Sequence, residues 1–478
     1  MCIRDSAYTD DLDEIAENYP LPKVVEDWIT EASKYSNNNE FPISILYFVC
    51  LGQILKDFVR LPVDSSMLDC RIHFAWFQSQ RSGKTAVWKF IKQILEGTFE
   101  RINAHESIVN GDTKSMDIFS VHEYTDAALI GTTEQNPAYN PPQDPDELDE
   151  YDVESYIKYD GGLEGAGLAH FDEFESSGIF KQHKHKDNVL MYFQTFMNGL
   201  DSESYIIRKK LARQEFVQEC DCSRSLYATT YVPVNFIEVV ANSGVLQRPL
   251  TFVREVTDEE RRIMILTYIS KIGIKNTDEM QLQRFSNHLA RCYVRTHERW
   301  IERGRNAEEV MIFPDSVRDV IRQYYLWVQN DVESLRPEVK RIAESFIINL
   351  IQYQTMFAGL IAISNGRFNM TVADAHCAGR MVRHSYSALT EWLNKALRVQ
   401  RKSVFQAAKP DAFIQAYHEC VKDQDGYVNK KLLLKEYMKA ASVAQAQAYR
   451  LYNKIETRMF DTKNFGRSVY VKLKEEEL

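Results

Sequence analysis

Apolar residues recur at helical spacing at both ends of this chain, while its middle carries short apolar runs of the strand kind, bounded by turn residues. Leu21 to Lys34 and Phe41 to Val59, with Pro42 near the start of the second, read as two lead-in helices. From Ile72 the chain reads as a buried strand, a tight turn and a helix that opens on Gly83-Lys84-Thr85, with Val87, Phe90, Ile91 and Ile94 at helical spacing over Thr85 to Leu95. Ile102 to His105, Ala127 to Thr133, Gly167 to Phe174, Ser225 to Pro233 and Leu250 to Val253 are further candidate strands, and Val189 to Leu200 a helix. Strands alternating with helices predict an α/β, three-layer core around a mainly parallel sheet.

From Thr257 the pattern is helical only, over Asp258 to Ile272, Asp278 to Arg303, Ser316 to Ser334, Pro337 to Ser364 and Val372 to Leu397. Such a run cannot continue the sheet and predicts a helical lid. After a basic connector, Arg398 to Lys402, come helices over Asp411 to Val421, Lys430 to Met438 and Ser442 to Phe460, then an alternating strand pair, Asn464 to Lys472, around Gly466. Three helices and a hairpin predict a C-terminal winged helix-turn-helix. The expected organisation is a helical lead-in over 7–65, a nucleotide-binding core over 66–256 with an acidic insertion at 135–160, a lid over 257–400 and the winged unit over 401–478. Met1 to Ser6 resembles the translation of a sequencing-library transposon end; it is expected to be a scar, with the natural protein extending further upstream.

Composition narrows the classes. Phe346 to Ile363 is the longest apolar stretch, but Asn349, Gln352 and Gln354 interrupt it, which argues against a membrane span. No basic-then-apolar leader opens the chain. The 8 Cys are scattered, and Cys220-Asp-Cys222 lacks the two-residue gap of a zinc knuckle, so a reducing, intracellular compartment is expected. A net charge of −10 argues against a uniformly nucleic-acid-coated surface, although it leaves room for a narrow basic channel. His183-Lys-His-Lys186 reads as a solvated basic loop in preference to a metal tract.

The candidate chemistry begins at Ser82-Gly83-Lys84-Thr85, where a strand, a turn and a helix N-terminus make a phosphate cradle. Lys84 can reach β- and γ-phosphates, and the Thr85 hydroxyl can ligate Mg²⁺. The phosphate-loop pattern asks for Gly where this chain has Gln78, and Ser-Gly-Lys-Thr can also occupy an ordinary polar turn. A second apolar strand ends in Asp172-Glu173. Were the two strands neighbours, Asp172 would lie beside Thr85 and hold Mg²⁺, and Glu173 would activate water, the parts of an ATP hydrolase. Arg208, Lys209, Lys210 and Arg213 form the basic tip of a predicted hairpin, a candidate phosphate-gripping finger. Either Thr229 or Thr230, at a strand's polar end, could report the γ-phosphate. Arg248 sits on a loop at the sheet's edge as a candidate arginine finger, and Arg341, with Arg336 and Lys340 as competitors, begins a lid helix. In the terminal unit, Gln445, Gln447, Arg450 and Lys454 on the third helix and Lys463 and Arg467 on the wing are candidate DNA contacts.

Taken in order, these motifs resemble hexameric AAA+ P-loop replicative helicases, most of all the helicase half of phage and plasmid primase–helicases, with a lid and tail similar to the minichromosome maintenance helicases. The resemblance implies ATP and Mg²⁺ as cofactors, single-stranded or forked DNA as partner, and a homo-oligomer, a hexamer. It also implies a primase or polymerase partner and the cytoplasm of a prokaryotic host, in a phage or mobile-element setting. Catalytic parts would be Glu173, Arg248 acting in trans, and Thr229 or Thr230. Ser82, Gly83, Lys84, Thr85 and Arg341 would bind nucleotide, Thr85 and Asp172 the metal, and Arg208, Lys209 and Lys210 the translocating strand. Two other classes stay open: a DNA-bound switch or initiator ATPase that does not unwind, and an interaction protein with a degenerate nucleotide site.

Overall fold

The computed structural model describes residues 19–36, 39–63, 66–79, 82–109, 115–121, 126–138, 156–174, 187–200, 205–210, 217–232, 236–237, 245–270, 278–407, 410–441, 445–466 and 468–474. The chain divides into two compact units, Met1–Trp392 and Leu393–Leu478.

In the first unit, α1 (Lys23–Ser33) and α2 (Glu40–Leu55) precede a small antiparallel pair, β1 (Arg60–Val63) and β2 (Ser66–Asp69). Every residue of α2 from Pro42 on is buried, as its all-round apolar sequence requires. The central strand β3 (Phe74–Gln78) leads through the turn into α3 (Lys84–Val109). Next come β4 (Ile118–Val121), α4 (Asp126–Ile130), β5 (Gly131–Gln135), β6 (Tyr156–Asp160), β7 (Leu168–Phe171) and α5 (Asp187–Phe196). A hairpin of β8 (Ile206–Lys210) and β9 (Val217–Asp221) follows, then β10 (Ser225–Thr230) and β11 (Leu250–Arg254).

Five of these strands form one sheet in the order β11-β3-β10-β7-β4, all parallel. Interior parallel strands are covered on both faces, and β3, β7 and β10 are accordingly buried at every position. Successive side chains of a strand face opposite ways. On β7, His170 stacks on Trp88 of α3 at 4.1 Å while Phe171 meets Phe193 of α5 at 5.1 Å, so helices cover both faces and the core has three layers.

Several expectations are corrected. Ile102 to His105 is not a strand but the far end of α3, which runs for 26 residues; a short apolar run carries no period long enough to tell the two apart. The residues 127–130 are helical, and Gly131–Gln135 pairs antiparallel with Tyr156–Asp160, outside the main sheet, so the end of the expected acidic insertion at 135–160 is a strand. The remainder of that insertion, 139–155, lies outside the described residues. The edge strand β4 was not foreseen.

The helical half holds α6 (Asp258–Ser270), α7 (Glu279–Glu302), α8 (Asp315–Ser334), α9 (Pro337–Ala343) and α10 (Ile347–Ser364). The span 337–364 has the length and apolarity to cross a bilayer, with a mean hydropathy of 1.6 in its richest window, yet 72% of that window is buried inside the fold. Finally α11 (Val372–Ala407) is one helix through the expected connector at 398–402.

The second unit contains, beyond the end of α11, α12 (Pro410–Glu419), β12 (Val428–Asn429), α13 (Lys430–Ala441), α14 (Gln445–Met459), β13 (Phe460–Phe465) and β14 (Ser468–Leu473). Its three strands form an antiparallel sheet in the order β12-β14-β13, so the expected hairpin has a third, short strand beside it. Phe413, Tyr437, Tyr452, Met459 and Phe460 fill its core, with Phe413 stacked on Tyr437 at 3.4 Å between centroids.

Candidate functional site

Parallel register brings the carboxyl ends of all five strands to one edge. Thr230 lies level with Phe77, Arg254 with Gln78, and Ala228 with Phe171. Lys84 opens α3 just beyond β3, and Asp172-Glu173 follows β7 directly. The two strands are not neighbours, so the condition on which Asp172 would lie beside Thr85 is not met; β10 lies between them. That places the strand ends about 10 Å apart at two inter-strand spacings, and it puts Thr229 and Thr230 in the gap.

The Thr229 hydroxyl donates to Asp172 Oδ1 at 2.9 Å, so the intervening strand orients the first acid directly. Thr230, its neighbour facing the other way, is 4% exposed, and its Oγ1 is buried without a hydrogen-bond partner among the described residues. Glu173 is exposed and sits at φ +51, a left-handed conformation uncommon for a residue with a Cβ. Its N–H donates to Asp172 Oδ1 at 3.1 Å. Backbone strain of this kind concentrates where a side chain must be aimed.

In the turn itself, Lys84 Nζ donates to the carbonyls of Gln78 at 2.6 Å and Ser79 at 3.1 Å, and lies 3.4 Å from Ser82 Oγ. The ammonium thus folds back over the turn onto oxygens it can exchange for a phosphate. Gly83 adopts φ +85, and a Cβ there would meet Ser36 Oγ at 2.1 Å, so only glycine fits. Thr85, second residue of α3, is exposed. Gln80 and Arg81 lie outside the described residues.

Gln78, the departure from the phosphate-loop pattern, has a structural task that sequence reasoning missed. It is fully buried; its Nε2 donates to Asn39 Oδ1 at 3.0 Å, and its Oε1 accepts from Trp76 Nε1 at 2.5 Å. Asn39 in turn donates to Ser82 O at 2.8 Å and to Ser36 Oγ, which itself donates to Ser82 O at 3.1 Å. The junction between α1 and α2 is therefore clamped to the turn. Asn39 immediately precedes α2 but spends its side chain on the turn instead of capping that helix. No local signal marks this, because the partners are about 40 residues apart.

The remaining candidates lie elsewhere. Arg248 precedes β11 at the opposite, amino-terminal edge of the sheet, where Leu250 N–H donates to His73 O at 2.8 Å and Arg248 O accepts from Tyr353 at 2.8 Å. It is half-buried instead of fully exposed, burial lowers its pKa, and its Nη1 has no partner among the described residues. Arg341 is exposed on α9. The helix that follows it is held at the same amino-terminal edge by Asn349 donating to Gln247 O and Tyr353 to His73 O. Arg336 precedes α9, and Lys340 is ion-paired with Glu344 at 3.8 Å.

Arg208, Lys209 and Lys210 belong to β8 and not to a tip, and Arg208 Nε is paired with Glu219 Oε1 across the hairpin at 2.8 Å. Arg213 lies outside the described residues, as do His183, His185 and Arg467. On α14, Gln445, Gln447, Arg450 and Lys454 are exposed while Ala448, Tyr452, Ile455 and Met459 are buried, and Lys463 is exposed on β13. Cys220 and Cys222 are buried thiols with sulfurs 3.8 Å apart.

A scan of known protein-family models finds no match to this chain, and no curated protein matches it significantly. The fold and geometry establish an α/β protein with a five-stranded parallel sheet.

Proposed function

We propose that this chain is a P-loop ATP hydrolase of the AAA+ class, working as a ring-forming helicase on single-stranded DNA. The observation that carries the reading is the strand order β11-β3-β10-β7-β4. It sends the strand before Lys84 and the strand before Asp172-Glu173 to one edge, with a threonine-ended strand between them. The donors there suit the ligands: a lysine and a helix N-terminus for phosphates, and the hydroxyl of Thr85 with the carboxylate of Asp172 for a hard divalent cation. When bound, Mg²⁺ would neutralise developing phosphate charge.

The chain's own residues would divide the remaining work. Lys84 exchanges its carbonyl contacts for β- and γ-phosphate oxygens. Thr229 fixes the rotamer of Asp172 through its 2.9 Å bond. Glu173, exposed and held in a left-handed backbone, accepts a proton from the attacking water. The buried hydroxyl of Thr230, without a partner among the described residues, would meet a terminal phosphate. Arg248 stands at the edge opposite its own chain's cradle, so it can serve only the nucleotide of a neighbouring copy, and a monomer would hydrolyse ATP poorly.

The terminal unit supports a winged-helix reading, with α14 offering Gln447, Arg450 and Lys454 to DNA. Arg208 could leave Glu219 for a backbone phosphate at little cost, since an exposed ion pair contributes only about 0–1 kcal/mol.

The test is ATPase activity against protein concentration, with and without single-stranded DNA, together with strand displacement. A rise with both concentration and DNA, lost in Arg248→Ala, supports the ring motor. Activity indifferent to both would refute it. DNA-stimulated hydrolysis without displacement would leave a non-unwinding switch.

A further inference from the structure

The far end of α3 carries a second cluster, unrelated to phosphate. His105 and Glu106 on α3 and His297 on α7 offer ligand atoms that all lie within 4.8 Å of one another. Twenty-one residues separate Lys84 from His105, so the cluster stands about 30 Å along the helix from the cradle at 1.5 Å per residue.

One of its ring nitrogens is left unsatisfied among the described residues, and its carboxylate is already oriented. His105 Nδ1 is a buried atom without a hydrogen-bond partner among the described residues, although it lies 3.4 Å from Glu106 Oε1. His297 is only 3% exposed, and its ring meets those of His105, Phe58, Tyr293 and Trp300. Glu106 Oε1 accepts from Tyr293 OH at 2.6 Å, an outer contact of the kind that fixes a carboxylate for metal binding. Glu106 and Tyr293 also line a polar cavity of about 380 Å³ shared with Asp57, Arg60 and Tyr205.

We propose that His105, Glu106 and His297 form a zinc-class divalent metal site that ties the end of α3 to α7, with its fourth position open to this cavity. Two imidazoles and one carboxylate are the donor set such ions take, and three protein ligands with one open position is a recurrent zinc arrangement. With metal–ligand bonds of about 2.0–2.1 Å, tetrahedral ligands stand roughly 3.3–3.5 Å apart. The His105–Glu106 pair already has that spacing at 3.4 Å, and His297, within 4.8 Å, needs to close by no more than about 1.5 Å.

The test uses the full chain, stripped with a chelator and titrated with Zn²⁺, the metal content measured after desalting and the geometry read by Co²⁺ substitution. Expected are one ion per chain, a tetrahedral Co²⁺ visible spectrum, and a Zn²⁺-dependent rise in unfolding midpoint. Metal affinity should fall at least tenfold in His105→Ala and in Glu106→Gln, both at half-buried positions. His297→Ala should do the same, and His183→Ala/His185→Ala should bind as the wild type does. No bound ion, equal binding in His105→Ala, or loss confined to the His183/His185 variant would overturn the site. Nucleotide binding is not part of the readout, so failure here leaves the ATPase reading untouched.

Discussion

Replacing Gln78 by glycine restores the residue that the phosphate-loop pattern asks for, and the structure predicts that this harms the protein. Gln78 is fully buried, and its amide joins Trp76 to Asn39, which in turn holds Ser82 of the turn. Gln78→Gly leaves the Trp76 indole N–H and Asn39 Oδ1 without partners, at about 1–3 kcal/mol each. A glycine within a strand adds about 0.5–1 kcal/mol in chain entropy. The sum is about 2.5–7 kcal/mol. With an unfolding entropy of roughly 2.1 cal/mol/K per residue, a unit ending at Trp392 loses about 0.8 kcal/mol per degree, so the midpoint should fall by about 3–9 °C.

The assay is thermal unfolding of wild type, Gln78→Gly, Asn39→Ala and the double variant, alongside binding of a fluorescent ATP analogue. Because both side chains belong to one network, the double variant should lose less than the two single losses added together. Nucleotide affinity should drop in both single variants, since each releases the turn. A Gln78→Gly protein as stable as wild type and tighter for nucleotide would refute the clamp.

Other expectations concern the site and the core. Glu173→Gln should lower turnover by about 10²–10⁴-fold while nucleotide still binds, whereas Lys84→Ala should lose binding; equal turnover in Glu173→Gln would remove its role as base. Thr229→Val should cost about 1.5–3 kcal/mol in orienting Asp172, roughly 10- to 150-fold in turnover, with Thr229→Ser near wild type; steady-state ATPase assays decide it. Acid should weaken the first unit early. Burial, with the Arg71 charge adding to it, holds His73 at about 3, so the folded state binds no proton there while the unfolded chain does. Its stability contribution is complete above about 6.5 and is lost as pH falls from there towards 3. His73 Nδ1 also accepts the Leu226 N–H at 3.0 Å, which protonation would abolish. His73→Asn should flatten the pH dependence of the unfolding midpoint over that window; an unchanged slope would assign it to other groups.

Much of the fold was legible because its signals are local. Helical period and strand-turn-helix punctuation located α7, α8 and the starts of β3 and α3 to within a residue or two, and the three helices of the terminal unit to within about three. Where the local signal was short, it misled: Ile102 to His105 prolongs a helix, and the four-residue strand β4 passed unseen. Lys84, Asp172, Glu173 and the two threonines were also singled out by residue type and position at element ends.

What the chain by itself determined is therefore which segments are helix or strand and which side chains stand at their ends. Only the tertiary structure decided that β10 runs between β3 and β7, since the order of parallel strands is set by crossovers and by packing on both faces, not by neighbours in sequence. The same holds for the bond from Thr229 to Asp172, 57 residues apart, and for the clamp through Gln78, Asn39 and Ser82. It holds equally for the meeting of His105 and Glu106 with His297. A hydrogen bond or a ligand set needs atoms within a few ångströms, and no periodicity along the chain specifies which distant residue will supply them.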